Sequence, residues 1–476
     1  MEPECRRTEA RLTLAASGAL AASSELASEP EHSDAEPDPD LDLDLPFSVE
    51  PGMGLELAGQ FFATALRHEP HGNVALLARL VARAPTAALV GPAPATQVIE
   101  LGQLAGDVPP PRLATDGSDL WVAIEETVGE ARAPSASYRV RLARLSQGNL
   151  AAPLDWHDGP RASRDESNAF DFAAAPRAAG APPGGALFAW DDWPAGESHG
   201  RVYVQLASSD GSASSATPIS APTVDAEEPR LTARPGGYWL AWLVDAASPA
   251  GRARVYDPGE AEAAAPISGA APISGAAPIS GAAPGAGAAP GAGAAPAADS
   301  AAQGKSGPNG ARGIEVIALD AAGQPVGNVR RIRTENARVV GYDLTTNAAG
   351  NAWLVWRQDA PSAGAAGGRV LMAEVQSDGP HETLTLREED VGSGEPSWLA
   401  GTAGGQLPWL TFPDQRDHTL LLPVDYPRPL AEPLALAADL RGASALAAAG
   451  GQVLFALPRG RALELFSAAC AASAGR

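Results

Sequence analysis

The stretch GNAWLVW, residues 350–356, decides the fold of this chain. It starts with a turn glycine, continues as a short apolar run that ends in tryptophan, and is followed by the polar residues Arg357 to Asp359. A short apolar run between turn residues is typical of a buried β-strand. Similar units recur along the chain after six other glycines: Gly72, Gly117, Gly184, Gly236, Gly404 and Gly450.

The seven units are about 50 residues apart once a low-complexity insertion is left out, which is the length of one four-stranded propeller blade. Alternating apolar residues in Arg201 to Ala207 and around Tyr138 to Leu142 have the two-residue period of half-buried strands. We therefore predict an all-β chain that folds as a seven-bladed β-propeller over residues 46–476. A structure with another blade number, or a helix across Phe61 to Arg67, would contradict this prediction.

On these repeats the chain resembles bacterial β-propeller repeat proteins in general, and its arginine-rich, lysine-poor, alanine-rich composition resembles that of proteins from high-GC bacteria. It departs from two named classes. The Gly-His and Trp-Asp pairs of WD repeats do not recur, and the Asp-box of sialidases is only faintly echoed at Thr115 to Trp121 and Thr346 to Trp353. The resemblance implies a fold and no particular activity.

Three tryptophans, Trp190, Trp242 and Trp356, each follow their turn glycine by the same interval. Side chains of this size in a repeated strand position are expected to pack between adjacent blades, with ligand stacking as the alternative. Phe61 and Phe62 align with the segment from Phe170 to Phe172, which favours a strand at this position.

The N-terminal residues 1–45 are predicted to lie outside the propeller. Arg6, Arg7 and Arg11 precede a weakly apolar stretch, as in an export leader, although several glutamates offset the basic charge. Residues 25–44 are acidic and proline-containing without lysine or arginine, which predicts a disordered linker. We expect export to the periplasm or cell surface, with the cytoplasm as the alternative.

A second low-complexity segment, residues 258–312, repeats the hexad Ala-Ala-Pro-Ile-Ser-Gly. Proline in every hexad prevents helix formation, and alanine is too small to offset the entropy of ordering, so we predict a disordered insertion. Strand-like sequence resumes at Gly313 to Asp320, which we interpret as the third strand of the interrupted blade.

Composition limits the partners. A formal net charge of −23 would repel a phosphate backbone, so nucleic acid is not expected as a partner. No segment approaches the roughly 18 consecutive apolar residues of a membrane span. The two cysteines, Cys5 and Cys470, lie at opposite ends of the chain, and we expect from them neither a disulfide framework nor a thiolate metal site. We expect a monomer.

Motifs for metals, nucleotides and cofactors fall short of their patterns, so no cofactor and no metal are predicted. Gly304-Lys305-Ser306 ends like a phosphate-binding loop, but Asp299 stands where the first glycine is needed. Asp38 to Asp44 have the alternate spacing of a calcium loop without its glycine and closing glutamate. The seven histidines form no ligand pair, and no Gly-x-Ser-x-Gly nucleophile motif is present.

One recurrent feature points to a binding face. Acidic residues follow the second strand in five repeats: Glu125 with Glu126, Asp191 with Asp192, Asp245, Asp359 and Asp414. Equivalent turns of a propeller emerge on one side, so these carboxylates are predicted to form a rim that attracts cations or a basic partner. The alternative is that aspartate is simply common in turns.

Two functions fit these observations. The first is a non-enzymatic scaffold whose acidic face, with Glu125, Asp191, Asp192, Asp245, Asp359 and Asp414 as binding residues, recognises a protein or a glycan. The second is a carbohydrate-active hydrolase or lyase that draws its acid and base from the same rim, because neighbouring carboxylates raise one another's pKa. We favour the first function.

Overall fold

The structure of the protein is a computed structural model. It describes residues 5–15 and 48–470, except for the segments 70–71, 82–96, 107, 129–136, 163–169, 177–183, 194–198, 246–311, 333–337, 360–367, 377–378, 381–382, 389–390, 393, 400–407, 417, 426–427, 430–432, 437–441, 450 and 460–461. The predicted acidic linker and nearly all of the predicted insertion lie outside the described residues.

Seven antiparallel sheets form a ring, and the innermost strand of each sheet contacts the innermost strands of its two neighbours. The chain is therefore the predicted seven-bladed β-propeller. One short 3₁₀ turn, Ser146–Gly148, accompanies the strands of the described residues. The strands of blades 1 to 3 are β2 (Val49–Leu57), β3 (Gln60–Glu69), β4 (Gly72–Val81) and β5 (Gln97–Leu104); β6 (Arg112–Thr115), β7 (Leu120–Val128), β8 (Ser137–Leu145) and β9 (Trp156–Ala162); and β10 (Phe170–Ala174), β11 (Ala186–Asp192), β12 (Arg201–Ala207) and β13 (Thr217–Pro218).

Blades 4 to 6 continue in the same order, from the innermost strand outward. In blades 5 and 6 the third strand pairs with two short outer strands. The strands are β14 (Ala226–Arg234), β15 (Gly237–Asp245), β16 (Arg312–Asp320) and β17 (Pro325–Ile332); β18 (Arg338–Thr346), β19 (Ala352–Asp359), β20 (Gly368–Gln376), β21 (Gly379–Pro380) and β22 (Leu384–Arg387); and β23 (Ser397–Leu399), β24 (Trp409–Pro413), β25 (Thr419–Asp425), β26 (Arg428–Pro429) and β27 (Leu434–Ala435).

Blade 7 joins the two ends of the chain. Its inner strands are β28 (Ser444–Ala449), β29 (Gln452–Arg459) and β30 (Ala462–Cys470), and its outermost strand is β1 (Cys5–Ala15), which pairs antiparallel with β30. A disulfide links Cys5 to Cys470 at one end of this pair. Residues 5–15, part of the region interpreted as a leader, thus form a propeller strand that precedes residue 46. The expectation of no disulfide is wrong.

The core consists of seven apolar clusters, each between two neighbouring blades. Strand β19 shows why residues 350–356 do not alternate between apolar and polar side chains. Trp353 and Val355 face blade 6, while Leu354 and Trp356 face blade 4. Both faces of a second strand are buried, so its sequence is a continuous apolar run.

The three repeated tryptophans are buried in these clusters, each against the preceding blade. Core packing is therefore their role. Phe61 and Phe62 are buried in strand β3, so no helix crosses this segment. They occupy a second strand, however, whereas Phe170 and Phe172 belong to the first strand β10, so that part of the alignment is wrong.

The first repeat is also displaced by one strand. Gly72 begins β4, the third strand of blade 1, and the turn between the first and second strands contains Gly59 at φ 79°. The positive φ explains the glycine, because this backbone conformation is strained for residues with a Cβ atom. The third-strand interpretation of Gly313 to Asp320 is confirmed by β16.

Removal of residues 258–311 is expected to change the melting temperature by no more than a few degrees. Asp245 and Arg312 are paired partners at the adjacent ends of β15 and β16, so a short connection can replace the insertion. Loop closure entropy changes only slowly with loop length. Differential scanning calorimetry of the deletion variant tests this, and a large loss of stability would show that the segment packs on the propeller.

Candidate functional site

The predicted acidic residues lie at the ends of second strands: Glu125 in β7, Asp191 and Asp192 in β11, Asp245 in β15, Asp359 in β19, and Asp414 directly after β24. Because the two strands of a hairpin are antiparallel, each second strand ends where the first strand of its blade begins. We call this side of the ring the upper face. All six residues belong to it.

Strand register divides these residues into different positions. Glu125 and Asp191 are equivalent, since each stands two residues after an alanine, Ala123 or Ala189, that pairs with the charged residue of the first strand. Asp245 and Asp359 stand four residues after the corresponding position, and Asp414 stands three after it. Successive strand residues point to opposite sides, so the six do not form one ring.

The outer carboxylates have partners close by in the chain. Asp359 forms an ion pair with Arg357 at 2.9 Å. Asp414 accepts hydrogen bonds from the backbone of Arg416 and His418, and its other oxygen lies 3.1 Å from His418 Nδ1. Asp192 accepts the backbone N–H of Trp193. The side chain of Asp245 lies outside the described part of the structure.

A second set of charged residues lies on and beside the innermost strands. Arg112 Nη1 lies 3.2 Å from Asp171 Oδ1, and Arg230 lies 3.9 Å from Glu395 and over the ring of Tyr342. We define the upper-face cluster as the residues that these contacts and their electrostatic interactions connect: Arg112, Glu125, Asp171, Asp191, Arg230, Asp343 and Glu395.

Sequence reasoning missed the inner members of this cluster. The missed signal is a charged residue directly before an apolar residue within the first strand, and it recurs in four repeats: Arg112-Leu113, Asp171-Phe172, Arg230-Leu231 and Asp343-Leu344. The signal is visible only when the first strands are aligned with one another, in addition to the second strands.

Two aspartates of the cluster connect neighbouring blades. Asp171 Oδ2 accepts the backbone N–H of Leu231 in blade 4 at 2.7 Å, and Asp343 Oδ2 accepts that of Trp398 in blade 6 at 2.7 Å. Their other oxygens accept the backbone N–H of the following residue. Both carboxylates therefore link neighbouring blades through hydrogen bonds.

The carboxyl group of Glu125 differs from those of Asp171 and Asp343 because it forms no such hydrogen bond within the described residues. It is 3% exposed, and no residue in the described part of the structure forms a hydrogen bond with its carboxyl group. Burial raises the pKa of Glu125 to about 8, which Arg112 opposes and Asp191 reinforces. A desolvated carboxyl group without a hydrogen bond is costly, which makes this position a candidate for a function other than stability.

Asp191 is the equivalent residue of the next blade and is half-buried. Burial raises its pKa to about 7, against a hydrogen bond from the backbone N–H of Glu228 at 2.9 Å, while the charges of Glu227 and Glu228 raise it further. Burial therefore favours the protonated form of both carboxyl groups.

The backbone that holds Asp191 is strained. Glu228 has a φ of 53°, an unusual value for a residue other than glycine, at a β-bulge in strand β14. Its N–H binds Asp191, its carbonyl oxygen accepts from the Tyr342 hydroxyl, and its carboxylate pairs with Arg312. Three contacts thus fix a costly conformation beside the cluster, as is common at functional sites.

The two arginines of the cluster are surrounded by protein and still reach solvent. Burial lowers the pKa of Arg112, against the opposing charge of Asp171, yet the Arg112 side chain keeps 23% exposure and that of Arg230 keeps 19%. Groups that are both surrounded by protein and open to water lie in the wall of a concavity. The upper face therefore has a charged recess at Arg112 and Arg230.

Other kinds of site are not formed by the described residues. Within them, no three His, Cys, Asp or Glu side chains are grouped to hold a metal ion, and no helix is long and apolar enough to cross a membrane. Among the described residues, the large hydrophobic side chains that are exposed are two valines, Val326 and Val329, on the outer strand β17. No described tryptophan, tyrosine or phenylalanine offers a fully exposed stacking platform.

Fold and recess together define the class: a seven-bladed β-propeller with a charged recess on its upper face. No protein-family model and no curated protein sequence matches the chain. Solved propellers are similar in fold. The chain is 10% identical to the lectin BP39L from Burkholderia pseudomallei, with 90% of this chain and 97% of that chain covered and a TM-score of 0.47.

Two further solved structures are similar to a comparable extent. The β-propeller domain of the Trilobed protease from Pyrococcus furiosus is 9% identical, with 88% of this chain and 93% of that chain covered and a TM-score of 0.44. An α-L-arabinanase from Penicillium chrysogenum is 9% identical, with 79% and 92% covered and a TM-score of 0.41. At this level, the comparisons say nothing about ligand or activity.

Proposed function

We propose that this protein is a non-enzymatic binding propeller that recognises a protein or a glycan with its upper face. The observation that carries the proposal is Glu125, a buried carboxyl group without a hydrogen bond beside the recess. A ligand that supplies the missing partner would stabilise the group, and this gain is available for binding. The proposal narrows the six predicted acidic residues to Glu125 and Asp191.

The state of the carboxyl groups favours binding over catalysis. A glycoside hydrolase needs one protonated and one ionised carboxyl group at the same pH, so their environments must separate the two pKa values. Burial instead raises the pKa of Glu125 and of Asp191 in the same direction. The carboxylates of Asp171 and Asp343 are occupied by backbone N–H groups of neighbouring blades.

Substitution of both recess carboxyls, Glu125→Gln with Asp191→Asn, is expected to weaken binding of a ligand found on a glycan array or by protein pull-down about tenfold or more. Glu126→Gln is the matched control, because Glu126 is the next residue of β7 and is ion-paired with Arg139 and Arg141 away from the recess. Biolayer interferometry measures both affinities. Equal affinities of wild type and the double variant would contradict the proposal.

A hydrolase remains the second candidate, because two carboxyl groups with pKa values near 7 and 8 can exchange protons at neutral pH. Assay of the wild type on a panel of 4-nitrophenyl glycosides and on polysaccharides tests it. Turnover that is lost in Glu125→Gln and kept in Glu126→Gln would establish the hydrolase and overturn the non-enzymatic proposal.

A further inference from the structure

We propose that the recess beside Glu125 and Asp191 binds a cationic side chain, a lysine ammonium or an arginine guanidinium, presented by a protein partner. This inference rests on the proposed function and specifies the chemistry of the ligand.

The charges of the upper-face cluster are not balanced within the chain. Two arginines, Arg112 and Arg230, stand among five carboxyl groups. Arg112 is in contact with Asp171, and Arg230 is nearest to Glu395 and also interacts with Asp343. Glu125 and Asp191 are therefore the carboxyl groups for which the cluster has no cation of its own in contact.

The two carboxyls face a well-defined set of charged groups. Glu125 interacts with Arg112 and Asp191, and Asp191 interacts with Glu227 and Glu228, which Arg312 partly neutralises. The positive charge of Arg112 opposes proton uptake by Glu125, but burial outweighs it. An additional cation at this point is the group that would let both carboxyls ionise.

A cation that enters the recess replaces a proton. Glu125 loses its proton to solvent and the resulting carboxylate accepts charge-assisted hydrogen bonds from the ligand, which are about twice as strong as neutral ones. Binding of one ligand cation thus releases up to one proton from each of the two carboxyl groups. Binding should therefore strengthen as pH rises from 6 to 8, where the unliganded carboxyls lose their protons.

A protein side chain fits these observations better than a glycan. Glycan platforms use exposed aromatic faces, and the described aromatic side chains are buried or half-buried. The formal net charge of −23 attracts a basic partner from a distance and accelerates its association.

The test uses the full chain and two probes, a tetralysine peptide and the same peptide with its side chains acetylated. Isothermal titration calorimetry at pH 6 and pH 8 is carried out in two buffers of different ionisation enthalpy. We expect tetralysine to bind with release of protons, more tightly at pH 8, and the acetylated peptide not to bind. Glu125→Gln with Asp191→Asn should weaken tetralysine binding about 30-fold or more, and Glu126→Gln should leave it unchanged.

The outcomes separate this inference from the proposed function. Absence of tetralysine binding, equal binding to the double variant, or binding of the acetylated peptide would overturn the cationic subsite. If a ligand from the array or pull-down still depends on Glu125 in any of these cases, the binding function stands and only its chemistry is wrong. If that ligand is also insensitive to the double variant, both proposals fail. Circular dichroism of each variant confirms that it is folded.

Discussion

Removal of the Cys5–Cys470 disulfide is expected to destabilise the propeller by on the order of 5 kcal/mol, corresponding to a fall in melting temperature of about 5–10 °C. The two cysteines are 465 residues apart in sequence, and the bond joins the first strand of the chain to the last. Without it, the unfolded chain regains the entropy of nearly its whole length, and only the pairing of β1 with β30 closes the ring at this point.

Scanning calorimetry of the wild type with and without a thiol reductant, and of the double variant C5S/C470S, measures this effect. The reductant should lower the melting temperature of the wild type and have no effect on the double variant. An unchanged melting temperature in both comparisons would show that strand pairing alone closes the ring. Structural disulfides form and persist in oxidising compartments.

The fold could be predicted from the second strands because both of their faces are buried. The run from Trp353 to Trp356 places alternate residues in the clusters on either side of blade 5, and this requirement repeats in each blade. The repeated tryptophans carry the same information. A short apolar run with a turn glycine before it is therefore visible without any knowledge of the neighbouring blades.

The closure of the ring could not be predicted in the same way. Strand β1 pairs with β30 at the opposite end of the chain, and nothing near Cys5 in sequence indicates this partner. A basic stretch followed by small apolar residues satisfies the requirements of a leader and of an edge strand equally. The assignment of Gly72 to the turn before the second strand is wrong for a similar reason. Both Gly59 and Gly72 precede an apolar strand, and only the strand pairing shows that the strand after Gly59 is the second strand of the blade.

The sequence predicts which face the acidic residues share and not which of them lie together, and their role in binding stays a prediction. Acidic residues at the ends of second strands do share the upper face, but register and bulges decide which of them point toward the recess. A bulge between Glu227 and Arg230 places the backbone of Glu228 against Asp191. Glu125 and Asp359 likewise differ in their partners. Arg357 neutralises Asp359, whereas burial isolates Glu125.

Glu125→Gln is expected to stabilise the protein at pH 8 or above, by on the order of 3 kcal/mol relative to its effect at pH 5. Burial raises the pKa of Glu125 to about 8 in the folded state, whereas in the unfolded state it titrates near its ordinary value of 4.5. Between these two pH values the folded protein holds more protons than the unfolded chain, so the free energy of unfolding must fall as pH rises. Glutamine fills the same volume and cannot ionise, which removes this contribution.

Urea unfolding at pH 5, 6.5 and 8 measures the pH dependence for wild type and variants. The free energy of unfolding of the wild type should fall across this range, less steeply in Glu125→Gln, and least in the variant that also carries Asp191→Asn, whose carboxyl has its pKa raised to about 7 by burial. Glu126→Gln is again the control. Burial opposes the ion pairs of Glu126 with Arg139 and Arg141, but these lower its pKa, so it is ionised in both states above pH 6 and its removal should leave the slope unchanged. The slope in Glu125→Gln could instead be as steep as that of the wild type. This result would mean that Glu125 is ionised in the folded protein at neutral pH, with a cation already in contact. The recess would then have no unsatisfied carboxyl group to offer a ligand.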